Sequence, residues 1–468
     1  MESTKLKVIT VTSVLTGLSL AGITLPGIAY AERTQEADSI AEAFGEKSFH
    51  NLELRLRHER AKDRTALPLE GFAASPTVGV AGGPAGPLRW SQLTSLRTQL
   101  TYGTGSVCGT SAQTTMTNVS AYFRSTKYNP SVGNITNRAA YTVINEPSGT
   151  AMNEFWVQND SIPDTNVRVG DQFITLDNSR FFGKYNYHQN PQSYRAATIT
   201  NSSLMDTTII YGYVSDILNN MTTTRQSQRR VRENTNLLNI NWHGVDWGSV
   251  SVYDYMMKDK DAIAMRSQLN TVGFVNYEHF SANTYGIRFA GDTDVNCRDV
   301  SVNYELEYAR QKGRYNNPVR YSARYWVAGV GASLEGFSAG LRYEVLGGQN
   351  RVNDKQFKTL GDKHEFLGNA GVFTLTPQAG IKDGMLRLGY SYDEQWHFRI
   401  DGHTFKAQSG SNKYGRELDL CARYDINKNY NVGLAYAKFK AKSGNTASAI
   451  GTALGDMTRY WLTLGANF

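Results

Sequence analysis

The feature that most constrains this chain is a period-two alternation of apolar and polar residues, which recurs in stretches of about ten residues along its length. In one such stretch the alternate positions are Val300, Val302, Tyr304, Leu306 and Tyr308. A helix would scatter these residues round its circumference, whereas a strand places all of them on one face. The pattern therefore predicts an all-β chain whose strands each have one apolar side.

The connections between the predicted strands alternate in length. About eighteen strands are predicted, with short links after the even-numbered ones, such as 104–106 and 160–164. Most links after odd-numbered strands are long, such as 61–91 and 347–382. Lipid cannot hydrogen-bond an open strand edge, so a sheet of this kind has to close. We expect a transmembrane antiparallel up-and-down β-barrel with short periplasmic turns and long extracellular loops.

Composition excludes several other classes of protein. Beyond residue 31 no apolar run reaches helix length, which excludes a polytopic helical membrane protein. An aromatic content of 11% argues against disorder. Cys108, Cys297 and Cys421 are too few for a disulfide scaffold and fall on predicted strands three, eleven and sixteen. These strands are not neighbours, so we expect no disulfide.

The N-terminal segment has the pattern of a secretory signal peptide. Lys5 and Lys7 precede an apolar stretch, and Ala29-Tyr30-Ala31 forms an A-x-A cleavage site. We therefore predict a cleaved signal peptide at 1–31, with an uncleaved membrane anchor as the alternative. Residues 32–48 are then a short periplasmic segment, in which 38–44 forms one short helix. Residues 49–468 form the barrel.

The C-terminal segment alternates up to an aromatic residue. Its apolar positions are Tyr460, Leu462, Leu464, Ala466 and Phe468. An amphipathic strand that closes on Phe is similar to the terminal strand of bacterial outer-membrane barrels, which the barrel-assembly machinery of that membrane recognises. The alternative is a soluble secreted β-protein that ends in Phe.

The alternation also predicts which charged residues line the pore. These are Glu53, Arg55, Arg57, Arg97, Arg168, Arg342, Glu344, Arg387, Arg399, Asp401, Glu417, Asp419, Arg423 and Arg459. One interpretation is a water-filled, charge-lined channel in which the surplus of Arg favours anions. The other is that many of these residues form cross-strand pairs that hold the wall. Lys438 falls on the predicted apolar face, which indicates a register slip in that strand.

Motifs for catalysis or metal binding are weak. The chain contains no H-E-x-x-H, G-x-S-x-G or Walker A pattern, so we do not expect an enzyme. His397, Asp401 and His403 share one predicted strand face. Alternate residues on a strand are about 7 Å apart, which leaves the two histidines too distant to share one ion. We expect no metal and no cofactor.

The predicted partners are those of a barrel in the outer membrane. Arg225, Arg229, Arg230 and Arg232 lie in the predicted loop 216–232 and could pair with lipopolysaccharide phosphates, although a solvated loop is the favoured explanation. We expect outer-membrane lipid, the assembly machinery and small hydrophilic solutes as partners, no nucleic acid, and a monomer.

Several short segments resemble a known family. These are Val169–Gly183, Gln189–Tyr194, Ser203–Thr208, Glu307–Gln311 and Tyr343–Gly348. They are similar to the alginate-export-type outer-membrane porins of Gram-negative bacteria. The resemblance implies an 18-stranded monomeric barrel, and a characterised member of that family passes an anionic polysaccharide. Asp171 stands where the family has a basic residue, so polysaccharide specificity is not carried over.

The observations together predict a passive channel for small hydrophilic solutes, with anions preferred. Two alternatives stay open. One is a substrate-specific channel for a polyanion or a sugar acid. The other is a surface adhesin or structural barrel with an occluded lumen, because the long loops 61–91 and 347–382 could fold inward or outward.

Overall fold

The structure is a computed structural model. It describes residues 35–64, 88–123, 127–130, 140–218, 230–260, 281–295, 300–349, 355–361, 364–445 and 454–468. The predicted signal peptide, most of the first long loop, Cys297, Arg225 and Arg229 lie outside these residues. No helix in the described ranges is long and apolar enough to cross a membrane.

The described residues form one antiparallel sheet of 18 strands, preceded by a short helix α1 (Ile40–Phe44). The strands are β1 (Phe49–Asp63), β2 (Ser91–Gly103), β3 (Thr110–Tyr122), β4 (Gly149–Asn159), β5 (Thr165–Gln172), β6 (Ser193–Asn201), β7 (Thr207–Leu218), β8 (Arg230–Val245), β9 (Gly248–Met257), β10 (Ala282–Val295), β11 (Val300–Gly313), β12 (Ser322–Leu334), β13 (Phe337–Leu346), β14 (Ile381–Tyr392), β15 (Trp396–Lys406), β16 (Lys413–Asp425), β17 (Tyr430–Ala441) and β18 (Met457–Asn467). The predicted up-and-down barrel is confirmed.

Closure joins the first strand to the last. β1 pairs with β18 from Glu53 opposite Asn467 to Asp63 opposite Met457. Beyond that ladder, Leu52 and Phe468 exchange two backbone N–H···O=C hydrogen bonds of 3.0 Å. The sheet therefore has no unpaired edge strand, which is the condition for a sheet in lipid.

The alternation along each strand separates a polar inner face from an apolar outer face. In β1, Arg55 and Arg57 are buried inside the barrel, whereas Leu54 and Leu56 point outward. The outer wall carries a band of exposed aliphatic side chains, for example Leu386, Leu388, Ile400, Leu418, Leu420, Leu434, Leu462 and Leu464. Such a continuous apolar band is unusual on a soluble protein and matches the lipid-facing belt of a membrane barrel.

Short turns and long connections alternate round the barrel, as predicted. The turn between β12 and β13 is a two-residue hairpin in which Glu335 and Gly336 both have positive φ, the geometry that matches the twist of paired strands. Two details differ from expectation. Cys108 lies in the turn before β3 and not within a strand. The predicted register slip at Lys438 is wrong. Lys438 points outward and is exposed, and β17 keeps a continuous register with both neighbouring strands.

Three connections fold into the barrel, and of these only 347–382 had an inward fold among the alternatives that the sequence left open. We call them inner segment 1 (140–148), inner segment 2 (173–192) and inner segment 3 (355–361 and 364–380). Phe181 of inner segment 2 packs against Tyr325 of the wall and Phe357 of inner segment 3, with ring centroids 5.1 and 5.6 Å apart. These contacts belong to an apolar core inside the lumen, toward the long-loop rim.

One glycine of the wall generates a stability prediction. Gly170 in β5 has a φ of +133°, and an added Cβ would lie 2.2 Å from the carbonyl oxygen of Phe155. We expect Gly170→Ala to lower the free energy of unfolding by about 2 kcal/mol, because both the backbone conformation and the contact disfavour a side chain. Gly402→Ala in β15 is the control, since nothing lies within 4 Å of its added Cβ. Urea unfolding in lipid vesicles measures both, and equal losses would contradict the prediction.

Candidate functional site in the barrel lumen

The charged residues predicted to line the pore lie on the inner face of the wall. Ten of them are buried there: Arg55, Arg57, Arg97, Arg342, Glu344, Arg387, Asp401, Glu417, Asp419 and Arg459. Glu53, Arg168, Arg399 and Arg423 also face inward but are partly accessible. These residues form several separate networks of ion pairs and hydrogen bonds, and most of the networks include residues of the inner segments.

The first network joins β1 and β2 to inner segment 2. The Arg55 guanidinium donates to Gln189 Oε1 at 2.8 Å and to the carbonyl oxygen of Asn186 at 3.0 Å. Arg57 donates to the carbonyl oxygen of Tyr187 at 2.8 Å. Arg97 lies directly opposite Arg55 on β2 and donates to Asn186 Oδ1 at 2.6 Å. These arginines hold inner segment 2 by its backbone carbonyls and by two amide side chains.

The same arginines leave positive charge in excess at this place. Arg97 pairs with Glu53, and Arg57 lies 3.9 Å from Glu146. Glu146 is shared with a second partner, His188, at 2.9 Å. Like charges directly opposite each other on a sheet are unfavourable unless a counter-charge is present. Three arginines therefore face two carboxylates, Glu53 and Glu146, and Glu146 also interacts with His188.

Glu146 links inner segments 1 and 2. It accepts hydrogen bonds from the Gln189 amide N–H at 2.8 Å and from His188 Nδ1 at 2.9 Å. Burial alone would raise the pKa of this carboxyl, but the interactions with His188 and Arg57 and the backbone hydrogen bond from Gln189 hold it below its usual value. The ionised carboxylate therefore stabilises the docked arrangement of the two segments.

An aromatic contact links inner segments 2 and 3. The Tyr187 and His364 rings stack with centroids 3.8 Å apart and planes 7° from parallel. The Tyr187 ring also meets Trp461 of β18 edge-on, at 6.0 Å. Neither Tyr187 nor His364 was predicted as a site residue, because loop residues carry no periodicity. The density of aromatic residues in 181–187 was the available signal.

The second network centres on Glu344 of β13. Glu344 binds Arg180 of inner segment 2 at 2.7 Å and Arg342 of its own strand at 3.0 Å. Arg342 also binds Glu305 of β11 at 2.7 Å. The Phe366 ring of inner segment 3 lies against both guanidinium groups, 4.7 Å from that of Arg180 and 5.2 Å from that of Arg342. Sequence reasoning missed Arg180 and Phe366, since both lie outside the strands.

The third network lies on β14, β15 and β16. Arg387 binds Asp401 through two hydrogen bonds of 2.6 and 2.8 Å. Glu417 accepts the backbone N–H of Ala370 at 2.7 Å, and Asp419 accepts that of Asn369 at 3.0 Å. Here carboxylates of the wall hold inner segment 3 by its amides, the reverse of the arginine contacts on β1.

The remaining predicted arginines have local partners, and that of Arg399 is Asp401, at 3.1 Å. Arg168 hydrogen-bonds Gln158 at 2.7 Å and stacks 4.1 Å from the Trp156 ring centre. Arg423 pairs with Asp425 at 2.6 Å, and Arg459 pairs with Glu59 at 3.2 Å. Wall pairing therefore accounts for many of the predicted residues. Their part in solute passage stays a prediction.

Two other predicted positions lie away from the lumen. Asp171 forms a bidentate pair with Arg195 on the outer wall, at 2.7 and 3.0 Å, so this departure from the alginate-export pattern has no contact with the pore. Arg230 belongs to β8, not to a loop, and pairs with Asp216.

No protein-family profile and no curated protein matches this chain. Several solved structures match it. OccAB1 of Acinetobacter baumannii matches with a TM-score of 0.64 at 10% identity, over 92% of this chain and 99% of that one. OpdQ of Pseudomonas aeruginosa matches with a TM-score of 0.57 at 11% identity, over 91% and 99%. OpdK of the same organism, solved with vanillate, matches with a TM-score of 0.61 at 9% identity, over 90% and 98%.

The chain has the fold of the outer-membrane porins. The full 18-stranded barrel is shared, and these matches cover nearly the whole of each solved chain. The alginate-export-type resemblance is not confirmed by these structures, which belong to the Occ and Opd porins. At 9 to 11% identity the likeness concerns the fold, and the lumen residues have to be interpreted from this chain's own contacts.

The Glu146 contacts generate a pH prediction. Because its pKa is depressed in the folded protein, Glu146 contributes stability above the ordinary carboxyl value of 4.5, and this contribution is lost as pH falls through the folded pKa. We expect the free energy of unfolding to fall as the pH drops below about 5. In Glu146→Gln that loss should be smaller, and stability at pH 7 should be lower by about 1–3 kcal/mol.

Urea unfolding at pH values from about 3 to 7 measures this effect. Glu46→Gln is a matched control, because Glu46 is an exposed acid in the segment before β1. An unchanged pH dependence in Glu146→Gln would show that other groups control the acid response.

Proposed function

We propose that this protein is an outer-membrane channel for passive diffusion of small hydrophilic solutes, with a preference for anions. The observation that carries the proposal is the cluster of Arg55, Arg57 and Arg97 on the inner wall of a closed 18-stranded barrel. A barrel of this size encloses more space than wall side chains fill. A surplus of guanidinium charge along such a lumen favours anions over cations.

The inner segments favour a selective channel over a wide, general one. They bring Tyr187, His364 and Glu146 into the lumen beside the arginines, so aromatic rings and fixed positive charge lie together at this place. Small organic acids suit this lining, since a carboxylate is a good partner for the guanidinium fork. OpdK, which shares the fold, was solved with vanillate, an aromatic carboxylate. We propose small organic anions as the solute class.

An adhesin or structural barrel with an occluded lumen is the second candidate. The apolar core formed by inner segments 2 and 3 fills part of the lumen and is the observation that favours it. Transport of a long polysaccharide has less support, because the same segments occupy the space that a polymer would need.

Single-channel recording of the refolded mature chain tests the proposal. We expect discrete conductance steps and an anion-biased reversal potential in a salt gradient. Arg55→Ser with Arg57→Ser should lower the anion-to-cation permeability ratio by about twofold or more, since two fixed charges are removed. Arg60→Ser is the control, because Arg60 points outward from the same strand and lies over the Trp90 and Tyr460 rings.

A second comparison separates charge from the clamping of inner segment 2. Arg55→Lys keeps the charge but cannot reproduce the forked contacts to Asn186 and Gln189, so its selectivity should resemble the parent while its current becomes noisier. A folded barrel without conductance steps would contradict the channel and favour the occluded barrel.

We also propose an outer-membrane location with a cleaved signal peptide at 1–31, insertion through the assembly machinery by the strand that ends at Phe468, and a monomer. The outward apolar band and the aromatic pair of Tyr430 and Phe468, with ring centroids 5.6 Å apart, support membrane insertion.

A basic patch on the outer wall supports contact with lipopolysaccharide. Lys406 lies directly opposite Lys413, and Arg416 directly opposite Lys440, in the ladders of β15, β16 and β17. All four side chains are exposed and, with Lys442, line one shallow depression near the long-loop rim. Opposed like charges destabilise a sheet unless anions neutralise them. Lipid phosphates can supply that charge.

We expect Lys406→Gln with Lys440→Gln to weaken lipopolysaccharide binding in detergent by about 30-fold, because each of the two cations near an anionic surface contributes about 1 kcal/mol. Lys428→Gln is the control, since Lys428 is exposed on a short turn at the opposite rim. Equal affinities for all variants would show that the patch does not hold these lipids.

A further inference from the structure

Three buried side chains on adjacent strands bring potential metal ligands together. Asp401 and His403 lie on the inner face of β15, and Asp419 lies directly opposite Asp401 on β16. Each is at most 2% exposed, and one ligand atom from each lies within 4.8 Å of the other two. The sequence argument against a metal considered only His397, Asp401 and His403 along a single strand. The cross-strand register supplies a ligand from the neighbouring strand instead.

A neighbouring carboxylate orients His403. His403 Nδ1 lies 2.9 Å from Asp383 Oδ2 on β14, so the carboxylate accepts the Nδ1–H. This assignment leaves the lone pair on Nε2, which is buried, makes no hydrogen bond and lies 3.9 Å from Asp419 Oδ2. A buried ring nitrogen without a partner is costly. A histidine held by a carboxylate through one nitrogen, with the other directed at an ion, is the usual arrangement in metal sites.

The charges around His403 do not balance. Arg387 and Arg399 both contact Asp401, at 2.6 and 3.1 Å. Asp383, Glu417 and Asp419 add three further buried carboxylates beside the single imidazole. Glu417 and Asp419 each use one oxygen to hold a backbone N–H of inner segment 3. The other oxygens, Glu417 Oε2 and Asp419 Oδ1, accept no hydrogen bond from an N–H group or a hydroxyl group.

We propose that Asp401, His403 and Asp419 bind one divalent transition-metal ion, with Zn²⁺ as the favoured occupant. One imidazole nitrogen with carboxylate oxygens is a normal ligand set for Zn²⁺, at about 2.0–2.2 Å. The ligand atoms then move to about 3.3 Å from one another, which side-chain rotation can achieve. Glu417 Oε2 or a water completes the coordination, and the ion neutralises the surplus of buried negative charge.

The site has a structural consequence for the lumen. Asp419 both binds the ion and accepts the Asn369 N–H, and Glu417 accepts the Ala370 N–H. An ion at this place fixes the side of the barrel to which inner segment 3 docks. Zn²⁺ should therefore raise the thermal stability of the barrel, whether or not the protein conducts solutes.

The test is calorimetric titration of Zn²⁺ into the refolded chain after treatment with a chelator. We expect one equivalent to bind, together with tetrahedral-type visible absorption when Co²⁺ is used instead. His403→Gln and Asp419→Asn should each weaken binding by about 100-fold, and Asp383→Asn by about tenfold through the orientation of His403. Heat-modifiable gel migration establishes that each variant is folded.

His397→Gln is the matched control. His397 lies on the same inner face of β15 but pairs with Asp425 at 3.3 Å, away from the cluster. It should leave the affinity within about twofold of the parent, since it removes no ligand. If the folded parent binds no more Zn²⁺ than His403→Gln, or if His397→Gln loses as much affinity, the proposed site is wrong.

Discussion

The constraint on which the structure depends is the need to hydrogen-bond every strand edge in a lipid environment. The pairing of β1 with β18 meets that need, because it turns an open sheet of 18 strands into a closed wall. Closure also defines an inside and an outside. The same period-two pattern then places leucines against lipid and arginines, aspartates and glutamates inside.

The inner charges fasten three loop segments to the wall. Arginines on β1 bind backbone carbonyls of inner segment 2, and Arg97 on β2 binds the side chain of Asn186 in the same segment. Carboxylates on β16 bind backbone amides of inner segment 3. Segments placed inside a barrel would otherwise bury unsatisfied polar groups, which costs free energy. The charged lining therefore has two consequences at once. It shapes the lumen by holding the segments, and it gives the lumen its electrostatic character.

The number of inward arginines does not by itself give the charge of the lumen, because some of them are neutralised by carboxylates and others are not. Arg342, Arg387 and Arg459 are matched by carboxylates across the wall. Arg55 and Arg57 are instead bound largely by carbonyl oxygens, which attract the guanidinium group without cancelling its full charge. We therefore infer that the preference for anions arises at Arg55 and Arg57. On β15 and β16 the balance is reversed, and the surplus is negative.

The sequence alone determined the wall. Side-chain direction in a strand has a period of two, so the alternation identified the strands, their apolar faces and the inward direction of Arg55, Glu344 and Asp401 without any long-range information. Only the tertiary structure decided which loops fold inward, because loop residues such as Glu146, Tyr187 and His364 have no periodicity. The sequence pattern did not predict the cross-strand register either. The meeting of His403 with Asp383 and Asp419 depends on how three strands align, and that alignment is set by the closed barrel as a whole.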